Sequence, residues 1–225
     1  MNELNLFPLL LSLKVAFMAV IVGLILGLPI ALYLSKSKTK LSDLIDTLIT
    51  LPVVLPPTVL GYYLLVLLGR QSPIGQFLEE RFQLMIVFTP TGAVIAASVV
   101  SIPFLIKSVR TAFSEINRDL IHAAKLLGRS EWSIFFSITV PLGWRGIVSG
   151  VILAFARALG DFGTTLMVSG SIPNKTLTMP IAIYDSMQSG DKEMTNMLVM
   201  IMTSVAVVSL FLLNRLEKRW GRRSG

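Results

Sequence analysis

The sequence predicts an all-α membrane protein with five membrane-spanning helices. Hydrophobic residues make up 53% of the 225-residue chain, charged residues only 15%, and the mean hydropathy is +0.74. Those values lie outside the range of ordinary soluble domains. Five apolar runs are long enough to cross a bilayer, and polar segments separate them. The absence of cysteine excludes disulfides, thiolate metal sites and cysteine nucleophiles.

The predicted spans cover residues 9–34, 44–68, 84–106, 146–168 and 194–213. We expect one domain over residues 1–225, with a core at about 9–213, a loop at 107–145 and a basic tail at 214–225. The second span contains Pro52, Pro56 and Pro57, and the fourth is interrupted by Arg157 and Asp161. The loop 69–83 contains both apolar and charged residues. The loop 169–193 is expected to hold a short re-entrant helix near residues 176–186.

Lys and Arg residues orient the chain, because loops that stay in the cytoplasm are enriched in them. The loops 35–43 and 107–145 and the tail hold fourteen of the twenty basic residues. The N-terminus and the other two loops hold four, and Lys14 and Arg157 lie inside spans. The sequence therefore predicts an N-terminus outside and a C-terminus in the cytoplasm, with the loop 107–145 also cytoplasmic.

The loop 107–145 carries a helical apolar period in otherwise polar sequence. The residues on the apolar face are Ile116, Leu120, Ala123, Ala124 and Leu127. Ser114 is the predicted N-cap, Gly128 the left-handed residue that ends the helix, and Ser130 the cap of a second helix. A helix of about 14 residues is only about 21 Å long. It is therefore predicted to lie at the membrane surface or in a groove of a partner protein.

The spacing in this loop resembles the cytoplasmic Glu-Ala-Ala loop of binding-protein-dependent ABC importer permeases. The matching residues are Ala123, Ala124, Gly128, Ile138, Val140 and Pro141. His122 stands where the general motif has Glu, and Val140 where it often has Leu. The resemblance implies a type I importer permease whose helix docks onto a separate ATPase. The implied coupling residues are Glu115, Leu120, His122, Ala123, Ala124, Lys125, Leu127 and Gly128.

Further stretches resemble the molybdate permeases of this class. They are residues 11–15, 51–61, 155–167 and 172–184, with Asp161 where Glu is usual. The resemblance implies a homodimer in a bacterial or archaeal cytoplasmic membrane, in contact with lipid. Its other implied partners are two ATPase subunits, which bind ATP and Mg²⁺, and an extracytoplasmic molybdate-binding protein.

The chain itself is expected to be a permease rather than an enzyme. No phosphate-binding Gly-x-x-x-x-Gly-Lys-Ser/Thr motif occurs in it, so we expect ATP to bind elsewhere and no cofactor to bind here. His122 is the only histidine and has no acid–base partner in a recognisable motif. The basic residues are not interleaved with aromatic residues as in a nucleic-acid surface. We therefore expect no catalytic residue, no metal and no nucleic-acid partner.

The residues expected to line a translocation pathway come from spans two and four. They are Pro52, Pro56, Pro57, Thr58, Gly61, Arg157, Gly160, Asp161, Gly163, Thr164 and Thr165. Broken helices at membrane depth usually face protein or a cavity, although a plain structural kink is the alternative. Arg157 and Asp161 are four residues apart, so they either form a structural pair within one helix or contribute to an anion route. Weak contacts from hydroxyl groups, with Ser169 as a further candidate, would suit anion passage.

Two alternative functions stay open at this point. Within the same class, the cargo could be tungstate or sulfate. A proton-coupled carrier would need carboxylates able to titrate inside the membrane. Of the carboxylates in the predicted spans only Asp161, beside its expected partner Arg157, qualifies, since Asp46 lies at the end of its span. That alternative leaves the amphipathic loop without a role, and a membrane enzyme would need an acid–base or metal cluster.

Overall fold

The computed structural model describes residues 6–221, with side chains as far as Arg215. These residues form helices and connecting segments without a strand. The helices are α1 (Phe7–Lys36), α2 (Lys40–Val54), α3 (Pro57–Leu68), α4 (Pro73–Phe82), α5 (Pro90–Ser114), α6 (Arg118–Leu126), α7 (Glu131–Ile134), α8 (Val140–Leu159), α9 (Gly163–Ser169), α10 (Met179–Gln188) and α11 (Lys192–Gly221). A π-helical turn, Phe135–Thr139, joins α7 to α8.

Four continuous helical segments are long and apolar enough to cross a membrane. They are Phe7–Lys36, Pro90–Ser114, Glu131–Leu159 and Lys192–Arg215. The pair α2 and α3 makes a fifth candidate if the two helices count as one broken span. The all-α fold class predicted from the sequence is therefore confirmed. The last four residues of the predicted basic tail, 222–225, lie outside the described residues.

The centre of the fold is the packing of α5 between α1 and α8. Ala31 and Leu34 of α1 are buried with Leu105 and Ile106 of α5 in one apolar cluster. The backbones approach closely where side chains are small. A Cβ on Gly150 of α8 would lie 3.1 Å from the carbonyl oxygen of Leu105. Small residues at such crossings allow the van der Waals contact that holds membrane helices together.

The second predicted span is broken at the prolines rather than only kinked, because the axes of α2 and α3 differ by 114°. α2 ends at Val54, where Leu55 is extended at ψ 139° and Pro56 and Pro57 follow. Neither proline has an N–H to donate to a carbonyl of the preceding turn, so α2 cannot continue. Pro57 instead opens α3 at its first position, where a missing N–H costs nothing.

The fourth predicted span is also divided. α8 ends at Leu159, and residues 160–162 separate it from the short helix α9. Upstream, the π turn places α7 in line with α8, so that the helical segment begins at Glu131 rather than at residue 146. The prediction of one helix over 146–168 is therefore corrected at both ends.

The elements α4 and α10 lie at the end of the molecule opposite α6. α4 occupies most of the loop predicted at residues 69–83. α10 begins at Met179 rather than near residue 176, and the Met179 backbone N–H donates to Ser12 Oγ of α1 at 2.7 Å. The short helix expected in the loop 169–193 is thus present, three residues later than predicted, and fixed to the start of α1.

Candidate functional site: a surface helix and a broken-helix crossing

The surface helix α6 is shorter than the sequence predicted. It spans Arg118–Leu126, and its N-cap is Asn117, whose Oδ1 accepts the Asp119 N–H at 2.8 Å. The predicted cap Ser114 is instead the last residue of α5, where its hydroxyl donates to the Arg110 carbonyl at 2.6 Å. Glu115 is the C-cap of α5 and lies outside the surface helix. Phe113, near the end of α5, is buried in the core cluster that contains Leu105 and Val109.

The C-terminus of α6 has the predicted glycine geometry. Gly128 lies at φ +76°, and the Arg129 N–H donates to the Ala124 carbonyl at 3.1 Å. This is a left-handed helix end of the kind that glycine favours, because a Cβ is disfavoured there. Ser130 then caps α7 by accepting the Ser133 N–H at 3.2 Å. Both predicted turn signals are confirmed.

The apolar residues of α6 divide between two faces. Leu120 is 50% exposed and Leu127 84%, and Ala123 is exposed between them. We call Leu120, Ala123 and Leu127 the outer stripe. Ala124 is 8% exposed and is turned toward the body of the protein. The prediction that all the apolar residues share one partner-facing side is therefore wrong for Ala124, which packs within its own chain. It is also wrong for Ile116, which precedes α6 and is buried in the core cluster that contains Phe113.

The coupling candidates His122 and Lys125 flank the outer stripe, and both are exposed. Lys125 pairs with Glu131 at the start of α7. Glu131 Oε2 also accepts from Lys36 Nζ at 3.3 Å, although Lys36 lies 95 residues away at the end of α1. No local pattern in the sequence indicates this network, because Lys36 and Glu131 are far apart in the chain. The network joins the ends of α1 and α6 to the start of α7.

The second cluster forms where α3 crosses α9. A Cβ on Gly61 would lie 2.6 Å from Met167 Cβ and 3.2 Å from Thr164 Cα. A Cβ on Gly163 would lie 3.0 Å from Pro57 Cβ. Thr164 Oγ1 donates to the Pro57 carbonyl at 3.2 Å. The structure thus brings together residues of the two predicted pathway segments, from spans two and four.

Asp161 is the joint between α8 and α9. Its Oδ1 accepts from Arg157 Nη1 at 3.2 Å, and its Oδ2 accepts from the Thr165 N–H at 3.0 Å and the Thr165 hydroxyl at 2.8 Å. Asp161 is 3% exposed. It therefore caps the first turn of α9 and also pairs with the last turn of α8. The expected Arg157–Asp161 pair exists, but it bridges a helix break instead of lying within one helix.

The pathway candidates differ in exposure. Pro56, Pro57, Thr58 and Gly160 are exposed, whereas Pro52 and Arg157 are partly buried. The buried candidates are Gly61, Asp161, Gly163, Thr164 and Thr165. The hydroxyls of Thr164, Thr165 and Ser169 donate to Pro57, Asp161 and Thr165 respectively. The Thr164 bond joins α9 to α3, and the other two bonds lie within residues 161–169. In this conformation the three hydroxyls are not directed at an anion, which leaves Thr58 as the exposed hydroxyl among the candidates.

A family model described as "Binding-protein-dependent transport system inner membrane component" matches residues 8–222. The chain belongs to this family. This chain is therefore a multi-pass inner membrane component of a transport system that depends on a binding protein.

Three relatives of this inner membrane component are named as permease proteins of molybdenum or sulfate transport systems. The "Putative molybdenum transport system permease protein YvgM" of Bacillus subtilis (strain 168) is 40% identical over 92% of this chain and 92% of its own length. The "Molybdenum transport system permease protein ModB" of Escherichia coli (strain K12) is 39% identical over 96% and 95%. The "Probable sulfate transport system permease protein cysT" of Chlorella vulgaris is 33% identical over 92% and 78%.

Solved structures support the fold of this inner membrane component. A chain of the MetNI methionine ABC transporter in an inward-facing conformation matches with a TM-score of 0.71 at 18% identity, over 100% of both chains. A chain of a bacterial ABC transporter that imports alginate also gives 0.71, at 15% identity over 93% of this chain and 79% of its own. The fold is that of the type I ABC importer permeases.

Proposed function

We propose that this chain is the membrane-spanning permease of an ATP-driven importer that carries molybdate across the cytoplasmic membrane. The observation that supports the cargo is the identity of 39–40% over more than nine tenths of the chain to permeases named for molybdenum transport. The relative named for sulfate transport is 33% identical. Sulfate, which is also a tetrahedral dianion, is therefore the second candidate cargo.

The outer stripe of α6 is the proposed ATPase-docking surface. Leu120, Ala123 and Leu127 lie at positions i, i+3 and i+7, which is the spacing of an amphipathic helix in a groove. Leu126, at 89% exposure, widens the same apolar surface. Exposed leucines on a nine-residue surface helix are expected to be covered by a partner. His122 stands beside the stripe where the motif has Glu, so His122→Glu is expected to keep or tighten docking.

Two copies of the chain are proposed to form the pathway between them, chiefly from α2, α3, α8 and α9. Closure of two ATPase subunits on ATP and Mg²⁺ would move the two α6 helices together. The network of Lys36, Lys125 and Glu131 would carry that movement to α1 and α7. The binding protein would deliver molybdate over α4 and α10, at the opposite end of the molecule. Pro56, Pro57, Thr58 and Gly160 are the exposed candidates for lining the route.

Docking is tested by co-purification of the ATPase subunit with membranes that contain each variant. Leu127→Asp places a charge in the proposed contact and should reduce co-purification at least tenfold, while the chain still inserts. The matched control is Met187→Asp, since Met187 is 60% exposed on α10 at the other end of the molecule. Ala124→Asp is unsuitable, because Ala124 is buried in its own chain. If the ATPase subunit co-purifies normally with Leu127→Asp, the outer stripe is not the docking surface.

The cargo is tested by uptake of radioactive molybdate into cells that lack their own molybdate importer. Expression of this chain with its ATPase and binding protein should restore uptake at submicromolar molybdate. A thousandfold excess of sulfate should leave the uptake unchanged, and tungstate should compete with it. Equal competition by sulfate would replace molybdate with sulfate as the cargo and leave the permease assignment intact.

A further inference from the structure

A groove lies between the last two turns of α1 and the start of α7, with a volume of about 580 Å³. Its walls include Leu32, Tyr33 and Lys36 from α1, and Trp132 and Phe135 from the other side. The proposed transport route lies on α2, α3, α8 and α9, so it does not use this groove. The outer stripe of α6 does not line it either.

The wall opposite α1 is a fixed aromatic surface. The ring of Trp132 stacks on Phe136 at 6.3 Å between centroids and meets Phe135 edge-on at 6.4 Å. Trp132 is nevertheless 75% exposed, and Tyr33 across the groove is 41% exposed. Tryptophan and tyrosine with this combination of anchoring and exposure are typical of the membrane–water boundary.

The length of α1 places the groove at that boundary. The part of α1 from Val15 to Leu34 has no charged residue. These 20 residues are about 30 Å long at 1.5 Å per residue, which equals the usual thickness of the hydrocarbon core. Tyr33 and Lys36 therefore lie where acyl chains end and headgroups begin. The groove therefore lies at the depth of a phospholipid's ester and phosphate groups.

The charge at the mouth of the groove is positive. Glu131 is shared between Lys36 and Lys125, so two cations face one carboxylate. Lys38 and Lys40 follow shortly after Lys36 in the chain. The side chain of Lys36 is 44% exposed, and its ammonium group has three donors, of which Glu131 takes one. A phosphate next to Lys36 would find a free donor and a net positive potential.

We propose that this groove binds one anionic phospholipid. The phosphate lies at Lys36, and one acyl chain runs along Leu32, Tyr33 and Phe135. Basic pockets between membrane helices on the cytoplasmic side bind acidic headgroups in this way. The lipid would fill the gap between α1 and α7 and so stabilise the position of the segment that carries α6.

Quenching of Trp132 fluorescence by brominated lipid tests the proposal. The full-length chain with Trp144→Phe and Trp220→Phe retains Trp132 as its one tryptophan. It is reconstituted in phosphatidylcholine vesicles with a fixed minor fraction of dibrominated phosphatidylglycerol, or of dibrominated phosphatidylcholine as the comparison. One basic residue near the membrane surface contributes enough attraction for about a fivefold preference. We expect a preference of that size for the anionic lipid.

Three variants and two additions separate the explanations. Lys36→Gln should abolish the preference, whereas Lys14→Gln, near the other end of α1, should keep it. Glu131→Gln should keep or raise it. Loss of the preference in Glu131→Gln as well as in Lys36→Gln would overturn the proposal, because Lys36 would then act only by holding Glu131. Equal quenching by the two lipids, displacement by millimolar inorganic phosphate, or loss of quenching when the ATPase subunit is added would each overturn it too.

Discussion

Asp161 and Thr165 are joined by two hydrogen bonds to a single carboxylate oxygen. Asp161 Oδ2 accepts the backbone N–H of Thr165 at 3.0 Å and its hydroxyl at 2.8 Å. The other oxygen, Oδ1, accepts from Arg157. A chain that leaves one helix and starts another inside a membrane must satisfy the N–H groups of the new first turn. Asp161 satisfies one of them and holds the new helix to the end of the old one.

Asp161→Ala should destabilise the protein, because it removes the cap of α9 and leaves Arg157 without the partner described here. Loss of a side-chain hydrogen bond to a first-turn N–H and of a buried charge-assisted hydrogen bond corresponds to about 1–3 kcal/mol. Thr165→Val keeps the backbone bond and loses the hydroxyl bond, so it should cost about 1 kcal/mol. The measurement is thermal unfolding of the purified protein in detergent. Asp43→Ala, on the exposed first turn of α2, is the control. If it lowers the unfolding temperature as much as Asp161→Ala does, Asp161 does not have the proposed role in joining α8 to α9.

Gly61→Ala should disrupt the crossing of α3 and α9, because the new Cβ would lie 2.6 Å from Met167 Cβ. Overpacking of this kind costs about 1–3 kcal/mol. Gly160→Ala is the matched control, since the nearest atom to its Cβ would be the Ala156 carbonyl oxygen at 3.6 Å, an ordinary contact. The unfolding temperature should fall for Gly61→Ala and stay near the parent value for Gly160→Ala, which is a control for stability only because Gly160 is itself a pathway candidate. Equal effects of the two changes would show that the close approach of α3 and α9 is not needed.

Gly128→Val should weaken docking for a conformational reason. Gly128 has φ +76° and no heavy atom within 4 Å of its Cβ position, so a side chain there meets strain but no clash. The strain is about 1–2 kcal/mol for a residue with a Cβ and smaller for asparagine. We therefore expect reduced ATPase co-purification for Gly128→Val, a milder effect for Gly128→Asn, and normal membrane insertion for both. Identical losses for valine and asparagine would indicate a steric role instead.

Because α2 and α3 meet at 114°, the pair either crosses the membrane as a broken span or returns to the side that it entered. If the pair crosses the membrane, a reporter fused after Ser37 should lie in the cytoplasm and one fused after Ser72 outside. If the pair returns to the side that it entered, both reporters should lie in the cytoplasm. We expect the first result, together with a cytoplasmic reporter after Asn214. An external reporter after Asn214 would contradict the orientation given by the basic loops.

Local signals in the sequence determined the helices and several of their ends. Continuous apolar runs gave the approximate positions of the four long helices but not all of their ends, because a span must be apolar along about 20 residues whatever it packs against. Gly128 and Ser130 marked a helix end and a helix start correctly, since a left-handed turn and an N-cap depend on one residue and its near neighbours. Pro56 and Pro57 marked the break in the second span for the same reason.

The tertiary structure decided everything that depends on distant neighbours. The packing of α3 on α9, where Gly61 meets Met167, joins residues that are far apart in the sequence. Helical period alone placed Ala124 with Leu120 and Leu127, but the body of the protein covers Ala124 and leaves the other two exposed. The pairing of Lys36 with Glu131 spans 95 positions. A periodic pattern identifies which residues share a helix face, whereas only the packed chain determines what that face contacts.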